Sequence, residues 1–240
     1  MGEAVAYCDG LIAAGGPAQV VTPNAEIVMA AQGLHDLRAL INGSALSIPD
    51  GASLLLAGRI LGHPLREQVT GTDLSYALAT LARDRGYRLF LLGAAEGVAE
   101  AAGRRLRELN PGLEIAGTFA GRSGQEGDAE TRAAIAAAGR VDIVLVAYGA
   151  PRQERWIARN QAAVGVPLAM GVGGVFDFMT GRVRRAPPWL RRIGLDWAFR
   201  LVMQPSRWRR QLALPRFVWR VVLTRRMAIT RAMRTAKPNR

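Results

Sequence analysis

The sequence has almost no lysine and little histidine. Its one lysine, Lys237, lies near the C-terminal end, which excludes a Walker A nucleotide site and a Schiff-base lysine in the body of the chain. The two histidines are His35, inside a helical pattern, and His63, in a Gly-His-Pro turn. Each has an ordinary structural explanation, which argues against a histidine-based catalytic triad or a histidine-rich metal site.

The sequence also has one cysteine and no long apolar run. Cys8 alone excludes an internal disulfide and any metal site built from several cysteines, which suits a reducing cytosol. The first ten residues carry two acids and lack the basic start of a signal peptide. The longest uncharged apolar run, 162–176, is shorter than the ~20 residues needed to span a bilayer. We therefore expect a cytoplasmic protein that is soluble or lies on a membrane surface.

Acidic residues are almost absent from the last sixty residues, 181–240. That segment has seventeen Lys or Arg, one acid, Asp196, and four of the five tryptophans, whereas residues 1–180 have a net charge of −3. A basic, aromatic segment attracts a polyanion such as an anionic membrane, a nucleic acid or a diphosphate. The composition therefore predicts an anionic partner for the C-terminal segment.

Strand and helix patterns alternate along residues 1–181. Runs such as 88–92 and 141–146 are typical of buried strands, and helical patterns separate them. This alternation predicts an α/β fold with a Rossmann-like, mainly parallel, three-layer sheet. From 182 to 240 the pattern becomes helical and basic, which predicts a C-terminal helical appendage. Parallel sheets bind ligands beyond the carboxyl ends of their strands, so the turns there are candidate sites.

Two local expectations concern the N-terminal part. Little chain precedes the first predicted strand, 19–21, and the pattern assigns no element to it. Asn24 is a good N-cap for the segment that follows. An apolar stripe then predicts one helix, formed by Ile27, Ala31, Leu34 and Leu37 or Ile41.

Asp50 follows a short predicted strand and precedes Gly51 at a predicted helix start. A carboxylate in that place could be a general base if its pKa suits the task. It could equally cap the helix, a role that aspartate fills routinely and that position alone favours. Thr22 and Asn24 are ordinary capping residues too, unless neighbouring parallel strands bring their turn beside Asp50.

Three glycine-rich turns also follow predicted strands. The turn 93–97 could hold a nucleotide phosphate at a helix N-terminus, although such a turn is a weak signal. The turn 171–176 has Phe176 where a dinucleotide fingerprint has its last glycine, so we expect a tight turn there. The turn 149–154 brings Gln153 and two charged residues to a helix start, either as site residues or as solvated residues of the helix surface.

The basic segment contains three regularly spaced arginines, Arg200, Arg207 and Arg210, which a continuous helix would place on one face. Clustered guanidinium groups bind phosphates through paired hydrogen bonds. Further on, 216–226 mixes arginines with aromatic and aliphatic residues, as a helix at a membrane interface does. The same pattern suits a helix packed on the body or on a second copy, and it suits RNA or DNA binding.

Six ordered segments carry a resemblance to a known family. They are VVTPNAEIV (20–28), IPDG (48–51), VTGTDL (69–74), LFLLGA (89–94), VAYGAPRQERWI (146–157) and GVGGVFDFMTGRVRRAPPWLRRIGLDWAFRLVMQPSRWRR (171–210). Together they cover about residues 19–210. In this combination they resemble the WecG/TagA/CpsF glycosyltransferases of bacteria, glycosyltransferase family 26, which have the GT-E fold.

The resemblance implies a reaction and its substrates. A hexosyltransferase of this kind would move a sugar, with inversion, from a UDP-sugar to a polyprenyl-diphosphate-linked sugar at the cytoplasmic face of the inner membrane. The sugar could be N-acetylmannosamine, its uronic acid, glucose or a similar one. The implied cofactors are none, because the UDP-sugar is a substrate and the family works without a metal. The implied partners include the anionic membrane surface and a possible homo-oligomer.

The resemblance also implies roles for single residues. Asp50 matches the proposed catalytic base, and Thr22, Asn24 and Gln153 match pocket residues near it. Three tail arginines that contact the diphosphate match Arg200, Arg207 and Arg210. We expect residues 1–181 to form the catalytic core, and 182–240 to supply the arginines and a membrane-binding helix. The alternative is a nucleic-acid-binding protein with a degenerate nucleotide domain.

Overall fold

Six strands form one parallel sheet in residues 1–205 and 208–235, the parts of the chain that the computed structural model describes. The strands are β1 Ala18–Val21, β2 Leu46–Ser47, β3 Arg88–Gly93, β4 Glu114–Phe119, β5 Ile143–Ala147 and β6 Leu168–Gly171. Their order across the sheet is β2-β1-β6-β5-β3-β4, and all neighbouring pairs are parallel. The predicted mainly parallel sheet is confirmed.

Thirteen α-helices accompany the sheet in the same described ranges. They are α1 Gly2–Ala14, α2 Ala25–Gly33, α3 His35–Asn42, α4 Ala52–Leu61, α5 Gly71–Arg85, α6 Val98–Leu109, α7 Asp128–Ala137, α8 Arg152–Val164, α9 Val175–Met179, α10 Pro188–Arg192, α11 Asp196–Met203, α12 Trp208–Gln211 and α13 Ala213–Thr235.

The helices cover both faces of the sheet because the central strands are apolar on both sides. In β3, Leu89 and Leu91 pack with α1, α5, α6 and α9 on one face, while Phe90 and Leu92 pack with α7 and α8 on the other. A strand buried on both faces has the continuous apolar sequence that 88–92 shows. The three layers therefore follow directly from the strand composition.

Two local predictions about the N-terminal part are corrected. The segment before β1 is not empty, because α1 occupies it and buries Cys8 and Ile12 against the sheet. The stripe after Asn24 is not one helix, because Leu34 has extended backbone angles (φ −114°, ψ 94°) and separates α2 from α3. The apolar spacing continues across that break, which is why the sequence pattern did not reveal it.

The helices α10 to α13 form the C-terminal appendage, whose exact boundary stays a prediction. Its longest helix, α13, packs across α2 and α4. Phe217 and Val221 are buried there against Ala25 and Ala57. Packing on the body, one of the alternatives for this segment, is therefore true of one face of α13. Another face stays open to solvent, where Trp219 is 65 % exposed.

Candidate active site

The turns after β1 and β2 meet at one edge of the sheet. The strands pair in parallel, with Val21 opposite Ser47, and the Asp50 amide donates a hydrogen bond to the Pro23 carbonyl at 2.9 Å. The cavity there measures about 110 Å³. Six predicted site residues line it, namely Thr22, Asn24, Asp50, Gln153, Arg200 and Arg210. The seventh, Arg207, lies outside the described residues.

The Asp50 side chain does not cap the helix that follows it. Gly51 holds the N-cap position of α4, and no side chain bonds to that helix end. Asp50 Oδ2 instead accepts a hydrogen bond from the Gly71 amide, at 3.2 Å, where α5 begins. A Cβ on Gly71 would lie 3.0 Å from Thr22 Oγ1, so this close approach requires glycine. The capping interpretation of Asp50 is wrong.

The surroundings of Asp50 tune its carboxylate toward proton transfer. Burial raises the pKa of Asp50 to about 6, against the lowering effects of the Gly71 amide and of nearby Arg200 and Arg185. The carboxylate of Asp196 acts in the raising direction. A general base works best when its pKa lies near the operating pH. Asp50 would be largely ionised at neutral pH and still basic enough to take a proton.

Asn24 and Thr22 come from the turn beside Asp50. Asn24 caps α2 by accepting a hydrogen bond from the Ile27 amide at 3.0 Å. Its capping role and its place in the cavity are compatible, because the cap fixes one side of the amide group. Thr22 ends β1 and lies against Gly71. Both residues reach the site because β1 and β2 are adjacent.

Gln153 braces the cavity wall. Its Oε1 accepts hydrogen bonds from the amides of Gly149, at 3.0 Å, and Gly173, at 2.9 Å. Its Nε2 donates to Glu154 Oε1 at 2.8 Å. One buried side chain thus joins the turns after β5 and β6, which are far apart in sequence. We infer that its first role is to position these two turns.

The described tail arginines occupy different surroundings. The Arg200 guanidinium lies 4.8 Å from the centre of the Phe178 ring, in a cation–π contact, and it lines the cavity beside Asp50. Arg210 forms an ion pair with Glu26 in the first turn of α2, at 3.1 Å. Arg200 is therefore the better placed of the two to meet an anion near Asp50.

A further cationic cavity adjoins Asp50 and was not predicted. It measures about 350 Å³ and includes Arg185, Arg191 and Arg200 in its lining. Arg185 donates two hydrogen bonds to the Asp73 carboxylate, at 2.6 and 2.7 Å, and one to Thr70 Oγ1 at 2.9 Å. This fork holds the appendage against the start of α5. Both partners lie in the segments 69–74 and 171–210 that carried the resemblance, which was the only available signal.

Metal ligands and membrane spans were also sought in the described ranges. Within residues 1–205 and 208–235, no group of three or more His, Cys, Asp or Glu is placed to hold a metal ion. None of the helices described there is both long and apolar enough to cross a bilayer.

The fold and the site define an α/β protein with a tuned carboxylate and arginines at the strand ends. The sequence profile of the family described as "Glycosyl transferase WecG/TagA/CpsF family" matches residues 1–231, so the chain belongs to that family.

Characterised relatives share most of the chain. A protein of Bacillus spizizenii is 34 % identical over 203 residues, covering 85 % of this chain and 78 % of the relative. One from Bacillus subtilis is 31 % identical over 208 residues, covering 85 % and 79 %. One from Staphylococcus aureus is 29 % identical over 208 residues, covering 86 % and 80 %. Each is named N-acetylglucosaminyldiphosphoundecaprenol N-acetyl-beta-D-mannosaminyltransferase.

Proposed function

We propose that this protein is an inverting glycosyltransferase that moves N-acetylmannosamine, or a similar sugar, from a UDP-sugar to a sugar carried on polyprenyl diphosphate. The observation that carries the proposal is the cavity in which Asp50, with its pKa of about 6, faces Arg200 at the strand ends. The relatives' names support the acceptor and the sugar. Membership of a glycosyltransferase family favours this function over nucleic-acid binding.

In the proposed reaction, Asp50 takes the proton of the acceptor hydroxyl as its oxygen attacks the anomeric carbon of the donor. The bond to the UDP oxygen breaks, and UDP leaves with that electron pair from the opposite face of the sugar. Negative charge grows on the departing diphosphate during this step. Arginines fixed before the reaction stabilise that charge without having to reorganise. Arg200 and Arg185 would supply this field beside Asp50.

The nucleotide of the donor would bind at the ends of β3 and β5. A cavity of about 400 Å³ lies there, with Ala94, Tyr148 and Arg152 in its lining. The Tyr148 hydroxyl is buried, and within the described part of the chain it has no hydrogen-bond partner. The turn 149–153 separates this cavity from Asp50, because Gly149 and Gln153 line the Asp50 side. A donor spanning that turn would put its sugar near Asp50.

A donor screen tests the proposed function. Purified protein would receive several UDP-sugars, each with N-acetylglucosamine diphosphate on a short prenyl chain as acceptor, and UDP release and product mass would be measured. We expect transfer that is fastest with UDP-N-acetylmannosamine. If folded protein transferred sugar from no UDP-sugar, the proposal would be wrong.

Metal dependence gives a second test of the same proposal. The sequence lacks an Asp-x-Asp nucleotide–metal motif, and arginines lie where a leaving diphosphate needs positive charge. We therefore expect turnover to change by less than about twofold in excess EDTA, since arginine would supply the transition-state charge. Loss of activity in EDTA with recovery in Mn²⁺ or Mg²⁺ would contradict this expectation.

We propose that the protein lies on the cytoplasmic face of the inner membrane, bound through the open face of α13. Arg220 and Trp219 are both exposed there. An arginine near an anionic surface contributes about 1 kcal/mol, or roughly fivefold in binding. Arg220→Gln should therefore weaken binding to anionic vesicles about fivefold, and added salt should remove the difference.

Phe217 supplies a contrast to Arg220 on the same helix. Because Phe217 is buried against α2 and α4, Phe217→Ala should lower the free energy of unfolding by about 3 kcal/mol. Arg220→Gln should leave it unchanged. Equal vesicle binding by wild type and Arg220→Gln at low salt would count against this membrane face. Truncation before Phe217 would mix the two effects, since it removes the buried face as well. A homo-oligomer stays a prediction.

A further inference from the structure

A groove of about 360 Å³ opens beside Asp50, between the body and the appendage. Asp50 and Arg200 contribute charged groups to it, and Leu56, Ile193 and Leu214 are among its apolar side chains. The groove therefore combines a charged region with an apolar one. Such a lining fits a ligand with a charged head and a hydrocarbon chain better than it fits either part alone.

The body side of the groove is α4, which begins immediately after Asp50. Leu56 lies four residues beyond Ala52 on that helix, roughly 6 Å along its axis at 1.5 Å per residue. The Leu56 side chain is 51 % exposed. The apolar wall therefore starts at the candidate base and runs outward from it.

The appendage supplies the opposite side of the groove. At the turn between α10 and α11, Gly194 has φ +74°, and a Cβ there would lie 2.9 Å from the Ala52 Cβ. Glycine thus lets this turn sit directly on the first turn of α4. The neighbouring Ile193 side chain is 61 % exposed, and Trp197 also lines the groove. Close contact at Gly194 holds these apolar side chains opposite Leu56.

We propose that this groove binds the first isoprene units of the acceptor's polyprenyl chain; the inference rests on the proposed function. An acceptor whose sugar hydroxyl reaches Asp50 carries its diphosphate next and its chain after that. The groove offers the matching sequence of groups, with Asp50, then the Arg200 guanidinium, then the apolar side chains of α4 and the appendage. Charge complementarity at one end and continuity with the candidate site thus point to this occupant.

The consequence is that the protein recognises chain length in solution, without a membrane. Each fully buried methylene improves binding about fourfold, so even partial burial of two extra isoprene units should lower KM by at least about tenfold. If the chain were held by a bilayer and not by the protein, length would matter only in the presence of vesicles.

The test uses soluble acceptors bearing one, two or three isoprene units, without detergent and below their aggregation concentration. The readout is the ratio of KM for the one-unit acceptor to KM for the three-unit acceptor, which a general loss of activity does not change. We expect a ratio of about ten or more for the wild type. Leu56→Ser and Ile193→Ser should lower this ratio toward one. Val202→Ser is the matched control, because Val202 is 76 % exposed on α11 and does not line the groove.

Each result decides the matter. A wild-type ratio near one, or a ratio that survives both Leu56→Ser and Ile193→Ser, would overturn the groove while sugar transfer itself supports the proposed function. A length effect seen only with vesicles would assign the chain to the bilayer and overturn the groove as well. Transfer to no acceptor of any length would overturn the proposed function, and this inference with it.

Discussion

Replacing Asp50 with asparagine is expected to lower kcat by about 10²–10⁴-fold, the usual contribution of a positioned general base. Asparagine has nearly the same size and can still accept the hydrogen bond from the Gly71 amide, so the turn should keep its shape. What it loses is the ability to take the acceptor proton. UDP release with a saturating soluble acceptor, measured beside a thermal unfolding curve, separates lost chemistry from lost fold.

The pH dependence sharpens the Asp50 prediction. A base must be deprotonated to act, and burial raises the pKa of Asp50 to about 6. For the wild type, kcat/KM should therefore rise with pH below about 6 and level off above it. Asp84→Asn is a matched control, because Asp84 is an exposed carboxylate on α5 that pairs with Arg83. If Asp50→Asn kept near-normal turnover, Asp50 would be a structural residue only.

Much of the fold was predictable because its signals are local. The apolar runs of β3 and β5 are buried on both faces, so a short stretch of sequence identifies them. Adjacent parallel strands then bring the turns after β1 and β2 together, which explains why Thr22, Asn24 and Asp50 meet. The chemical role of Asp50 came from the family resemblance, because an aspartate at a helix start predicts a cap equally well.

The remaining features depend on contacts between distant segments. Arg185 and Asp73 are 112 positions apart, and no local pattern pairs them. Gln153 joins two turns through amides that the sequence cannot place. For α13, the interleaved apolar and basic residues indicate an apolar face, yet the same spacing serves a membrane or a protein surface. Only the fold shows that Phe217 is covered by α2 and α4.

Arg200 is expected to contribute the second-largest effect, through charge and not proton transfer. It lies beside Asp50 in the candidate site, fixed by its contact with Phe178. Removing one preorganised group that stabilises transition-state charge costs about 10²–10³-fold in kcat. We expect Arg200→Ala to lose that much. Arg200→Lys should lose less, because it keeps the charge but not the planar fork that pairs with a diphosphate.

The acid limb of the pH profile gives Arg200 a signature that misfolding would not produce. The positive charge of Arg200 lowers the pKa of Asp50, so its removal leaves the effect of burial less opposed and raises that pKa further. The limb of kcat/KM should therefore move to higher pH in Arg200→Ala and move less in Arg200→Lys. Arg209→Ala is the matched control, since Arg209 is exposed in the appendage and lines a different cavity. An Arg200→Ala enzyme with near wild-type kcat and an unmoved acid limb would show that the diphosphate is neutralised elsewhere, with Arg185 and Arg191 the next groups to test.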